Sequence, residues 1–393
     1  MTLWNAGEPG DAAVLRFTAA ADAALDARLV PYDVRASIAH ARMLHAQRLL
    51  GAADLAAIEA GLGALGAEHA RGAWQIGPEE EDVHTALEQR LTARIGAAGA
   101  RVHLGRSRND QVLAALRLYL KDVLVRLAQG ARDCAAALEA LAARQGSVAL
   151  PGYTHLQQAM PSSVALWARG FAAELDDDAA GLEAVGRRLD KNPLGSAAGY
   201  GTPGLDLDRE ATRRELGFAA VHEPVTAVQL SRGKAEAQLL FEVALLIQDL
   251  GRWAADVVLF ATQEFGFVSL AAAFTTGSSI MPQKRNPDVY ELLRGQSAVA
   301  QACLLEALAL TAKLTSGYHR DLQLLKAPLF RGIDLAQATL ALAPRAIGAL
   351  TFHPERVRLD AGIHAAEAAN RLAASEGIPF RDAYRRIAAQ LKR

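Results

Sequence analysis

Between Gly277 and Asp288 the sequence reads GSSIMPQKRNPD, which brings two hydroxyls, an ammonium and two carboxamides within twelve residues. Ser278 and Ser279 have the chemistry of nucleophiles or bases. Lys284 is a cation that holds an anion or depresses a neighbouring hydroxyl's pKa, and Asn286 donates to a carboxylate. Gly277 supplies hinge freedom, while Pro282 and Pro287 stop any helix from running through, so the stretch is expected to be a mobile loop between helices. A surface turn would explain the Gly-Ser-Ser alone. The Pro, Lys, Asn and Pro at fixed offsets behind it argue for a site.

Further polar breaks carry chemistry of their own. RVHLGRSRNDQ, 101–111, has no apolar periodicity and opens a very long helix for which Asn109 or Asp110 is a good N-cap. Arg106, Arg108 and Asn109 then lie at a helix N-terminus, where backbone amides and the dipole favour a carboxylate-bearing ligand. PGYTHLQQAMP, 151–161, is read as a second irregular segment carrying Thr154, His155 and Gln157, with Pro161 starting the next helix. EEEDVH, 79–84, is read as an acidic helix N-terminus complementing the macrodipole, with His84 directly behind it. SGYHRDLQLLKAP, 316–328, contributes Tyr318, Gln323 and Lys326. NPLGSAAGYGTPG, 192–204, is rich in glycine, but no GxxxxGK[ST] or strand-following GxGxxG accompanies it, which discounts a phosphate loop. Of 42 basic residues only seven are lysine, so Lys284 and Lys326 stand where a compact ammonium is wanted over the default arginine.

The elements that must position these residues are helices. Apolar positions 112, 113, 116, 120, 123, 124, 127, 134, 138 and 141 keep one stripe, and QLSRGKAEAQLLFEVALLIQDLGRWAADVVLFATQEFG is apolar almost all round, as a buried central helix would be. No segment shows sustained period-two alternation of β-branched residues. The expected fold is all-α: a long central antiparallel helix bundle over 106–351, between a small helical N-terminal domain, 1–105, and a short helical C-terminal domain, 352–393. His40 and His45, five apart, are poorly spaced to share a metal and read as packing histidines.

Composition excludes several classes. A net charge of −1 offers no polyanion-binding surface, so nucleic acid is not expected as a partner. No uncharged apolar run reaches a membrane span, and MTLWNAGEPGDAA lacks the basic start and apolar core of an export signal. Cys134 and Cys303 lie in apolar helical patterns without CxxC or Cys/His spacing, as in a reduced, cytoplasmic protein with no metal site.

The motifs together resemble the argininosuccinate lyase branch of the fumarase/aspartase superfamily almost end to end. They are YDVRASIAHARML, EDVHTALEQRL, LGRSRNDQ, LPGYTHLQQAMP, NPLGS, GSSIMPQKRNPD, YHRDLQLLK and GIPFRDAYRRIA. GSS-x-MP-x-K-x-NP alone marks the superfamily; GRSRNDQ with Gln283 marks the branch. The resemblance implies cofactor-free, reversible β-elimination of argininosuccinate to arginine and fumarate by a homotetramer whose sites are shared between chains. It implies Ser278 as base, Lys284 as its electrostatic support, and His155 paired with Glu291 as acid or proton shuttle. As substrate contacts it implies His84, Ser107, Arg108, Asn109, Thr154, Asn286, Tyr318, Gln323 and Lys326. Three departures stand out. Ala20, Ala21 and Asp22 replace a serine-bearing NxS motif, leaving Asp22 at the substrate position; QLSRGKAE replaces an SDRDF-like segment, with Arg232 the plausible equivalent; and the C-terminal domain is expected to be short. An adenylosuccinate-type lyase and a non-catalytic structural protein on the same fold remain as alternatives.

Overall fold

The computed structural model describes residues 12–77 and 79–391. Residues 1–11, on which the reading of no export signal largely rests, lie outside the described residues. The helices in chain order are α1 Ala12–Asp26, α2 Val30–Ala46, α3 Ala52–Ala70, α4 Val83–Ile95, α5 Ala97–Ala100, α6 Arg108–Gln145 and α7 Val164–Leu189. They continue as α8 Arg209–Leu216, α9 Val225–Leu230, α10 Lys234–Phe260, α11 Asp288–Thr311, α12 Lys326–Gly348, α13 Ala365–Glu376 and α14 Phe380–Leu391. Six short strands pair as three two-stranded sheets: β1 Ala149–Thr154 with β2 Gln157–Ser163, β3 Lys191–Asn192 with β4 Ala220–Val221, and β5 Val268–Leu270 with β6 Leu350–Phe352. The fold is all-α in its framework.

The chain divides into two compact units, the first made of 1–126, 181–243 and 300–334, the second of 127–180, 244–299 and 335–393. Each of α6, α7, α10, α11 and α12 contributes residues to both. In the first unit, Ala36 and Ala39 of α2 pack with Ala114 and Leu118 of α6 and with Leu216 and Phe218 at the end of α8. The alanines allow close approach of the helices, and the larger side chains fill the space between them. His40 and His45 are packing residues, as read: each places a ring nitrogen 2.8–2.9 Å from a backbone carbonyl, that of Leu104 or Leu50. Burial pushes His40 down to about 3, so it stays neutral.

In the second unit Trp253 and Tyr290 are fully buried against each other at 5.7 Å, and the Tyr290 hydroxyl donates to the Ala346 carbonyl at 3.0 Å. A second aromatic group, Trp167 with Phe260 and Phe352, seats the β5–β6 pair, and Gln145 at the end of α6 ties down β6 through the Phe352 N–H and the Leu350 carbonyl. The C-terminal helices α13 and α14 are separated by Gly377, whose φ of +64° ends α13 in the left-handed conformation that glycine adopts without penalty. Cys134 and Cys303 are buried free thiols.

Two local expectations need correction. The 151–161 segment is not irregular: it is an antiparallel hairpin with Pro151 opposite Pro161, and α7 begins at Val164, not at Pro161. Most of its residues are half or fully exposed, so no apolar alternation announced it. The cap of α6 is neither Asn109 nor Asp110. Ser107 takes that place, its Oγ accepting the Asn109 N–H at 3.3 Å, while Asp110 reaches back to accept the Ser107 N–H at 3.0 Å.

Candidate active site

The start of α6 is locked by a single carboxylate. Asp110 Oδ1 accepts from Ser107 N, and Oδ2 accepts from Gly195 N at 3.0 Å and Ala197 N at 2.9 Å, so the NPLGS loop is folded around the RSRND turn. Burial pushes Asp110 up to about 6, against the pull of these backbone donors. Asp110→Ala leaves three N–H groups without their acceptor and is expected to cost about 3 kcal/mol, with Asp110→Asn losing less because an acceptor remains. Thermal unfolding of the two variants checks this; equal Tm values for wild type and Asp110→Ala would remove the locking role.

Around this turn lies a cavity of about 300 Å³, formed within the first unit. Asp22, His84, Ser107, Arg108, Asn109, Tyr318, Gln323 and Lys326, eight of the ten expected substrate contacts, line it. They arrive from five places in the chain: α1, the N-terminus of α4, the start of α6, the turn before α12 and the first residue of α12. Its walls are strongly charged and mostly paired. Arg108 meets Asp82 and lies 3.5 Å from Glu81, Arg320 meets Glu81 at 2.7 Å, and His84 Nδ1 lies 2.5 Å from Asp33 Oδ2. Burial pulls His84 down, but Asp33, with Asp82 and Asp26 behind it, more than offsets this and raises the imidazole above its ordinary value. A charged His84 therefore turns Nε2, which has no hydrogen-bond partner among the described residues, into a donor.

Lys326, buried at the head of α12, places Nζ 2.6 Å from Asp26 and 2.9 Å from Asp22. Burial lowers Lys326, and the two carboxylates more than compensate. Asp26, Asp82 and Arg320 also line the cavity, and the sequence reading assigned them no contact with a ligand; Arg106, read at the helix N-terminus as favouring a carboxylate-bearing ligand, lines it too. A signal for Asp26 existed: it stands four residues after Asp22, so both acids share one face of an otherwise alanine-rich helix. The acidic run before α4 does more than complement a dipole. Only Asp82 caps, accepting from Thr85 N at 2.8 Å; Glu80 pairs with Arg90, and Glu81, at φ +67°, with Arg320. Arg232 is buried in the cavity wall with Nε and Nη1 unpartnered among the described residues, and its guanidinium lies 5.8 Å from the Tyr318 ring centroid.

The remaining expected residues belong to the second unit. Thr154 and His155 stand at the tip of the β1–β2 hairpin, where His155 and Leu156 have φ of +55° and +57°. That is the two-residue turn with both central residues left-handed, strained for a leucine, and it leaves both side chains exposed. Gln158 anchors the hairpin to the Arg358 carbonyl and the Asp360 N–H. The GSS loop is pinched at its neck, since Thr276 and Asn286 exchange backbone hydrogen bonds of 3.1 and 2.8 Å. It is therefore a closed-neck loop, with Gly277 just inside the pinch. Within it, Ser278 Oγ lies 3.3 Å from Ile280 N and 3.1 Å from Met281 N and accepts both. Lys284 is exposed, Asn286 half-buried with its amide near the Gly277 carbonyl, and Glu291 exposed in the first turn of α11.

A lyase family profile matches residues 8–302. Argininosuccinate lyase of Sorangium cellulosum (strain So ce56) is 48% identical over 99% of this chain and 90% of its own length. The chain belongs to the argininosuccinate lyase family. That of Xylella fastidiosa (strain Temecula1 / ATCC 700964) is 44% identical over 98% of this chain and 87% of its own. Among solved structures, EDDS lyase in complex with formate superposes with a TM-score of 0.79 at 26% identity, covering 93% of this chain and 72% of that one. Class II fumarase from Schistosoma mansoni, at 17% identity, superposes with a TM-score of 0.77 over 95% of this chain and 88% of its own, and so shares the fold alone. Membership of the argininosuccinate lyase family agrees with the resemblance in GRSRNDQ and GSSIMPQKRNPD. Among the described residues no helix is long and apolar enough to cross a membrane, and no three His, Cys, Asp or Glu side chains are grouped to hold a metal.

Proposed function

We propose that this chain catalyses the reversible β-elimination of argininosuccinate to L-arginine and fumarate, the last step of arginine biosynthesis, in the cytoplasm. The observation that carries the reading beyond kinship is the meeting of eight expected substrate contacts from five chain segments on one cavity. Chance surface residues would not converge so. In the reaction Ser278 takes the Cβ proton, the electron pair left behind is held as a dianionic carboxylate by fixed donors, and it then forms the double bond of fumarate as the C–N bonding pair leaves with the guanidino nitrogen. Asn286 and Thr154 contact the substrate, and Lys284 supports the charge on Ser278. His155, supported by Glu291, returns a proton to the leaving group or accepts one in the reverse direction.

The working form is a homotetramer with shared sites. Support comes from large apolar side chains left exposed on the long helices, among them Leu166 of α7, Phe241 of α10, and Leu292 and Leu305 of α11, which a lone chain would leave in water. Purified protein given argininosuccinate should release fumarate, read by its ultraviolet absorbance. Release from adenylosuccinate instead would reassign the substrate, and release from neither would leave a structural protein on this fold.

A further inference from the structure

Two carboxylates share the one ammonium of Lys326. Asp82 is matched by Arg108, Glu81 by Arg320, Asp33 by His84, and Asp26 by Lys326. Asp26 is fully buried, and its second oxygen accepts the Val83 N–H at 3.3 Å, so it is a fixed counter-ion of Lys326. Asp22, one turn earlier on α1, is then a second acid on the same ammonium. Its Oδ2 lies 2.9 Å from Nζ, and its other oxygen has no hydrogen bond among the described residues. Unlike Asp26, it is not sealed off: it retains a few per cent of exposure at the cavity wall. Lys326 has three N–H donors, and two carboxylates occupy two of them.

A second acid on an ammonium already held by Asp26 can take a cation, and a lysine with a donor to spare can take an anion. The two stand side by side. We propose that Asp22 and Lys326 read the α-amino-acid end of the substrate, Asp22 accepting its α-ammonium and Lys326 donating its third N–H to its α-carboxylate, so that Asp22 is a specificity determinant for the arginine half. This deepens the argininosuccinate reading and rests on it for the substrate's identity. Two further observations point to a ligand here: the unpartnered donors of Arg232, buried in the same wall, and the orphaned Nε2 of His84. A wholly cationic ligand would leave those donors unused, whereas an amino acid bearing a carboxylate as well as an ammonium uses both signs.

The titration of Asp22 is consistent with this. Burial, with help from the neighbouring Asp26 and Asp82, outweighs the pull of Lys326 and leaves it raised to about 6. A docked ammonium favours the ionised form, so ligand binding releases a proton near pH 6, and affinity falls as pH drops through that value. Arg108 and Lys326, raised above their ordinary values by neighbouring carboxylates, stay charged over this interval and do not produce that limb, and Asp33 raises His84. For arginine the expected weakening between pH 7 and pH 5.5 is about fourfold.

Calorimetry of L-arginine binding to the intact wild-type assembly, to Asp22→Asn and to Asp22→Ser tests the proposal without requiring turnover. Both variants should bind arginine at least tenfold more weakly and lose the acid limb, and Asp22→Asn should raise the KM for argininosuccinate while kcat stays within about threefold. Inhibition by fumarate, which has no ammonium, should be unchanged. Arginine binding that is unaltered or tighter in both variants would overturn the proposal and make Asp22 a competitor for Lys326. Equal weakening of arginine and fumarate would overturn it as well, by showing general damage to the cavity. If wild type cleaves argininosuccinate and either result appears, only this assignment falls; if wild type does not cleave it, the proposed function falls, and arginine binding still decides Asp22.

Discussion

Ser278→Ala lowers kcat by about a hundredfold or more, the usual scale for removing a general base, with little change in KM or in Tm. The expectation rests on the geometry of one oxygen. A serine hydroxyl is a poor base because its alkoxide is costly, and the cost falls when fixed dipoles point at the oxygen. Ser278 Oγ accepts the N–H groups of Ile280 and Met281, within 3.3 Å, in a loop whose neck is closed by the Thr276–Asn286 pair. Those donors are already oriented, so they stabilise negative charge on Oγ without reorganisation. Lys284, six residues on, carries a positive charge in the same loop. Ser279, exposed next door, has no such pair of donors on its oxygen among the described residues, and Ser279→Ala should keep most of the activity. The measurement is a steady-state rate on each purified variant. A Ser278→Ala enzyme with more than about a tenth of wild-type kcat would exclude Ser278 as the base, and loss confined to Ser279→Ala would transfer the role to the second serine.

The helices were legible because their apolar stripes are long: the stripe of α6 runs from 112 to 141, and three and a half turns would already suffice to distinguish a helix from a strand. The end of α13 at Gly377 has a local cause, since a left-handed glycine acts within a few residues. The hairpin that carries His155 was not. Strand calling depends on one buried face, and this ribbon buries little, while its pairing is decided by a turn of His and Leu in the left-handed region that propensity argues against. The eight cavity residues were found through family motifs, while what they touch was not. Lys326 and Asp26 are 300 positions apart, and His84 and Asp33 are 51 apart, so nothing in the local text shows that each lysine or histidine has its acid. Arg232 was legible only as a substitute for a missing motif; its orphaned nitrogens belong to the folded chain.

Two separately inactive variants, Ser278→Ala and His155→Asn, are expected to regain activity when they are unfolded together and refolded as mixed tetramers. The reasoning begins with reach. Base and acid must each lie within hydrogen-bond distance of the same substrate, or one water away. Within one chain, His155 stands exposed at its hairpin tip, and among the described residues it makes no hydrogen bond or ion pair with Ser278 or with Glu291. A residue intended for its own chain's chemistry would be held by that chain. A residue presented on a strained two-residue turn, with Leu156 three-quarters exposed beside it, is instead set out for a neighbour. If one site takes Ser278 from one subunit and His155 from another, a mixed assembly contains sites with both residues intact. Each of the two contributions is correct half the time in an equal mixture, so random assembly restores roughly a quarter of the sites, given symmetric oligomers and independent pairing. Native mass spectrometry of the refolded mixture establishes that mixed tetramers exist, and the fumarate assay then reads their activity. Mixed tetramers no more active than the parent variants would show that both residues serve the site from the same chain.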